Sequence, residues 1–109
     1  MWLCLNDGFV SVVQYKDDPS RLLVRSRKRR DLENVIGINH KIKETPDRDY
    51  RFRAVVPKVV FQDLIMQRIG EIDYPNFKNS VRDDNLHDLY ADFWGLHWTY
   101  QNRENAKQF

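Results

Sequence analysis

The chain is short of cysteine: Cys4 stands alone, so no internal disulfide can close and no second thiol exists for a cysteine-based zinc site. Its four glycines and four prolines are isolated from one another. That excludes a collagenous chain, a low-complexity linker and a glycine-rich phosphate loop. No apolar run approaches the ~18 residues that cross a bilayer. The start, Met1-Trp2-Leu3-Cys4-Leu5-Asn6-Asp7-Gly8, lacks the basic segment and long apolar stretch of a signal peptide. A dominant charge is lacking as well, since 18 Lys and Arg face 16 Asp and Glu for a net charge of +2. These absences point to a cytoplasmic protein with no membrane contact and no cofactor. What is present suffices for one domain, because 41% of the 109 residues are hydrophobic and 13% aromatic. A folded monomer of this mass should expose ~6,400 Å².

Short β-prone runs fill the N-terminal third. Trp2 to Leu5 and Phe9 to Tyr15 flank Asn6-Asp7-Gly8, and Asp-Gly can supply the positive φ of a tight hairpin. Apolar residues on both faces of the second run make it a central strand. Asp17-Asp18-Pro19-Ser20 is turn chemistry leading into a third strand, Leu22 to Ser26. Asp31 to Gly37 has the pattern of a short helix, capped by Asp31, striped by Leu32, Val35 and Ile36, and closed by Gly37. A second hairpin joins Lys41–Thr45 to Tyr50–Val56 across the polar loop 46–49. In its second strand Tyr50, Phe52, Ala54 and Val56 alternate with solvent-facing Arg51 and Arg53. After Pro57, the spacing of Phe61, Leu64, Ile65 and Ile69 predicts an amphipathic helix ending at Gly70. The loop 73–78 should fix the angle to a last helix from about Asn85 to Tyr100, followed by a frayed polar tail at 101–109. The expected fold is therefore α+β: one domain over residues 1–100, with an antiparallel sheet of four or five strands, one short helix, and two longer helices packed on one face.

Three groups of residues carry candidate chemistry. Arg25-Ser26-Arg27-Lys28-Arg29-Arg30 holds five cations in six residues, able to neutralise phosphates or to steer an acidic protein surface. Arg29 and Arg30 precede the positive end of a helix dipole, so local stability does not account for them. Asp84, His87 and Asp88 share a helical face with Asp92 one turn on, a set of hard donors beside an imidazole. Carboxylates at 83 and 84 also serve as helix caps, and no second element supplies further ligands. Cys4 lies in an apolar strand, where a thiol is inert core, and His40, His87 and His97 have no evident nucleophile beside them. The third group is aromatic. Half of the fourteen aromatic residues lie between Tyr74 and Tyr100, and Tyr90, Trp94 and Trp98 form a stripe beside Leu86, Leu89, Phe93, Leu96 and Tyr100. Together the two stripes exceed what one contact face needs, which makes the second a candidate protein interface. Gly95, inside this helix, suggests close approach of another element.

The segments Met1 to Val13, Glu44-Thr45-Pro46 with Asp49-Tyr50, Ile72 to Lys78, and Leu86 to Tyr90 with Trp94-Gly95 resemble a family of small bacterial and phage proteins with no established activity. The likeness spans nearly the whole chain and implies a bacterial or prophage origin, while Leu96 to Tyr100 is particular to this sequence. The expected function is a non-enzymatic interaction module. It would bind a protein partner or a second copy of itself through Tyr90, Trp94 and Trp98, with Arg27, Lys28, Arg29 and Arg30 steering the encounter. The alternatives are a nucleic-acid-binding domain using the basic 25–30 segment with Arg51 and Arg53, and a small metal-dependent hydrolase built on Asp84, His87 and Asp88.

Overall fold

The alternation of side chains along the second strand decides the architecture, because Val10 and Val12 leave one face of the sheet while Phe9 and Ser11 leave the other. A computed structural model describes residues 1–107, with side chains to Arg103. In chain order the elements are β1 (Trp2–Leu5), β2 (Gly8–Gln14), β3 (Arg21–Ser26), α1 (Arg29–Ile36), β4 (Lys43–Glu44), β5 (Phe52–Pro57), α2 (Lys58–Gly70), α3 (Phe77–Ser80) and α4 (Asp84–Lys107). The five strands form one sheet in the order β1-β2-β3-β5-β4, antiparallel throughout, giving the α+β fold.

The main core lies on the Val10 face. Val10, Val12, Val24, Ala54 and Val56 meet Leu32, Val35 and Ile36 from α1 and Phe61 from α2, all of them buried. The apolar positions of α1 recur at helical spacing, so this short helix is held by its packing on the sheet. Gly37 ends it with a positive φ of 84°, its N–H bonded to the carbonyl of Glu33. Pro57 joins β5 directly to α2, and the N–H of Lys58 reaches the Ser20 carbonyl at 2.9 Å.

Helix α4 serves the opposite face. Phe93 packs on Phe9 and stacks on Trp2, with ring centroids 5.6 and 6.3 Å apart, and Trp2 meets Phe9 edge-on at 5.7 Å. A second cluster of Phe9, Tyr50, Val81, Leu86 and Tyr90 forms there. The packing of two longer helices on one face is refined accordingly: α2 covers the Val10 face and α4 the Phe9 face.

Local details also depart from expectation. The first hairpin pairs Leu5 with Gly8 across Asn6-Asp7, and no residue of that turn has a positive φ. Gly8 is needed for closeness instead, because a Cβ there would stand 2.8 Å from the backbone oxygen of Asp31. Asp31 does not cap α1. It lies buried in the first turn, and its carboxylate accepts the Phe9 N–H at 3.4 Å. Burial pushes that carboxyl above its ordinary value, outweighing the Phe9 N–H and the nearby Arg30 and Lys28 charges. The 101–109 segment is not a frayed tail where it is described: α4 continues to Lys107, while residues 108–109 lie outside the described residues. Gly95 faces open space, with nothing within 4 Å of where its Cβ would stand. Gly95→Ala should therefore stabilise the fold by about 0.5–1 kcal/mol through helix propensity alone, read as a higher denaturant midpoint.

Candidate interaction surfaces

A helix of 24 residues outruns a sheet whose longest strand has seven. At 1.5 Å per residue α4 is about 36 Å long, and the molecule extends 49 × 31 × 27 Å. Its first half is anchored and its second half is not. Asp83, just before the helix, accepts the Leu86 N–H at 2.9 Å and pairs with Arg30 at 3.0 Å; these contacts hold its carboxyl below the ordinary value. Ahead of it, Asn76 caps α3 by accepting the Asn79 N–H at 3.1 Å, and Phe77 packs on Tyr90 with centroids 5.2 Å apart. The 73–78 segment thus seats α4 on the body of the protein.

The aromatic stripe splits along its length. Tyr90 is 3% exposed, and its hydroxyl lies 2.7 Å from the Leu5 carbonyl and 3.0 Å from that of Gly8. It is a core residue that ties α4 to the first hairpin, so its assignment to the partner surface is corrected. Trp94 and Trp98 are 58% and 56% exposed, and Leu96 and Tyr100 are 64% and 68% exposed. Lys78 Nζ sits 5.0 Å from the Trp94 ring centre. Beyond Phe93, Trp94 and Trp98 lie to one side of the line through Phe93 and His97 and Leu96 and Tyr100 to the other, so these four exposed side chains span more than half of the helix circumference.

Most of the basic run is already engaged. The Arg25 guanidinium donates to the Ser11 hydroxyl at 2.8 Å and lies over the Tyr50 ring at 4.7 Å. Arg27 covers the same ring at 4.3 Å and donates to the Asp49 carbonyl. Arg29 pairs with Glu33 at 3.4 Å and Arg30 with Asp83 at 3.0 Å. Arg29 and Arg30 therefore each have an ion-pair partner within the fold while staying more than half exposed. The run spans the end of β3 and the start of α1, with Arg27 and Lys28 between them. Lys28, whose carbonyl accepts the Ser26 hydroxyl at 2.6 Å, is exposed.

The remaining candidates are placed as follows. His87 Nδ1 lies 3.8 Å from Asp88 Oδ1, and among the described residues no three His, Cys, Asp or Glu side chains converge as metal ligands. Cys4 is exposed on the edge strand β1, not core, and desolvation raises its thiol above the ordinary value, away from a ready nucleophile. Arg51 is exposed and pairs with Glu44 at 2.8 Å. Arg53 does not face open solvent: its side chain is only 15% exposed. Among the described residues no helix is long and apolar enough to cross a membrane. No family model, no curated protein and no solved structure matches this chain.

Proposed function

We propose that the protein is a non-enzymatic interaction module that binds a second copy of itself through the overhanging half of α4. The supporting observation is the unpartnered arc of Trp94, Leu96, Trp98 and Tyr100, each more than half exposed on one helix. The exposed surface of 8093 Å² exceeds by about 1,700 Å² the area expected of a monomer of this mass. Excess surface on that order is what a stable homodimer removes from water. Charge selects the orientation. Asp84, Asp88 and Asp92 make the first half of α4 acidic, while in the second half Arg103 and Lys107 outnumber Glu104. In an antiparallel pair crossing near His97 and Trp98, Asp92 of each helix therefore stands opposite Arg103 of the other.

Light scattering during size-exclusion chromatography should give twice the chain mass at micromolar concentration. Trp94→Ala/Trp98→Ala should convert it to a folded monomer, with at least a tenfold weaker association constant, since large aromatic anchors dominate such contacts. A wild-type protein that stays monomeric up to hundreds of micromolar would overturn the assignment.

A further inference from the structure

On the Phe9 face of the sheet, α4 packs over Trp2 and Phe9, and its cluster reaches Tyr50 just ahead of β5. On the same face, strand register sets Arg25 opposite Arg53 and Arg53 opposite Lys43. Directly opposed residues of neighbouring strands lie on one face with Cβ atoms ~5 Å apart, and like charges so placed destabilise a sheet. Three cations in a row are therefore a cost that the fold carries. Around this row lies a groove of about 500 Å³, lined by Arg21, Lys41, Lys43, Arg48 and Arg53 and by no carboxylate. Asp18 and Asp49 pair with Arg21 and Arg53, at 3.4 and 3.3 Å, from outside that lining. Burial, then the Arg25 and Arg48 charges, lower the pKa of Arg53, and Arg25 keeps a buried Nε without a hydrogen-bond partner. Since the chain as a whole carries only +2, the excess is local.

We propose that this groove binds single-stranded nucleic acid, with the phosphates on Lys43, Lys41 and Arg21, the Arg53 charge beneath them, and a base on the Tyr15 ring. The cations supply the phosphate-tracking strip, and Tyr15 with Leu23 and Val55 supplies an aromatic and apolar floor for a flat base. An acidic peptide would use the cations and leave that floor idle. Of the basic run at 25–30 only Arg25 belongs to the row, and its guanidinium is held at Ser11 and Tyr50, so the groove is a separate site that does not depend on α4.

The test is fluorescence anisotropy with a labelled oligothymidylate of about twenty nucleotides. Binding should weaken steeply as salt rises, because bound phosphates release their counterions. Lys41→Glu/Lys43→Glu alters two exposed side chains at the sheet edge, so circular dichroism should remain that of the wild type while affinity falls at least about tenfold. Tyr15→Ala should weaken binding about fivefold or more. Trp94→Ala/Trp98→Ala should leave the per-chain affinity unchanged. The proposal is overturned by absence of binding at low salt, by a charge-reversed variant that binds like the wild type, or by loss of binding in the tryptophan variant. It is also overturned by a polyglutamate peptide that binds as tightly as the oligonucleotide.

Discussion

Tyr90→Ala is expected to lower stability by about 3–5 kcal/mol, because it removes a buried ring from the second core cluster and leaves a cavity. For a domain of this size that corresponds to a melting temperature lower by roughly 12 °C or more. Tyr90→Phe isolates the hydroxyl. It keeps the ring and loses the contacts at 2.7 Å to Leu5 and 3.0 Å to Gly8, for a cost of about 1–2 kcal/mol. Chemical denaturation of both variants checks the pair. An alanine variant as stable as the wild type would place Tyr90 on the surface, against its burial. The same residue makes stability depend on alkaline pH. Burial pushes its phenol well above the ordinary tyrosine value of about 10, so the folded chain retains a proton that the unfolded chain releases. Its contribution is present below pH 10 and declines as pH rises beyond it, and the decline should be shallower in Tyr90→Phe.

Gly8→Ala is the second large effect. An added methyl would stand 2.8 Å from the Asp31 oxygen, 3.1 Å from its Cα and 3.3 Å from its carbonyl carbon, all backbone atoms that no rotamer can move aside. Either α1 lifts from β2 or the hairpin tilts, and both disturb the Leu32 packing. The expected loss is about 2–3 kcal/mol, as for overpacking a tight core. Thermal unfolding followed by circular dichroism should show it. Gly37→Ala is an instructive companion: there space is open and only the positive φ of 84° penalises a side chain, so a smaller loss is expected.

Local patterns in the sequence were enough to place the two hairpins, α1 and α2, because the period of two in Tyr50 to Val56 and the helical spacing from Phe61 to Ile69 each repeat within one element. The split within the aromatic stripe was not legible. Tyr90, Trp94 and Trp98 share one face at identical spacing, yet the first is buried and the others are exposed. Periodicity reports which residues share a face; it carries no information on where the supporting sheet stops. The basic run misled for a related reason. Its partners Tyr50 and Asp83 arrive from other elements, and Glu33 meets Arg29 only once α1 has formed, so consecutive arginines resembled a free cluster. The groove was hidden because β3 and β5 become neighbours only after α1 and β4 intervene, which brings Arg25, Arg53 and Lys43 into one row from distant stretches of chain. The Gly8 contact depends on a strand meeting a helix that starts some twenty residues later, and the turn chemistry of Asp7-Gly8 offered a nearer explanation.

The strand order has one more consequence. Because β1 and β4 are the two borders of the sheet, the α4 anchor and the cationic groove occupy opposite flanks of each molecule. Joining two molecules tail to tail would leave both grooves free and turned outward. One long polymer could then engage them in succession, with the second contact made at a raised effective concentration, so avidity should grow with oligonucleotide length once the strand spans the pair.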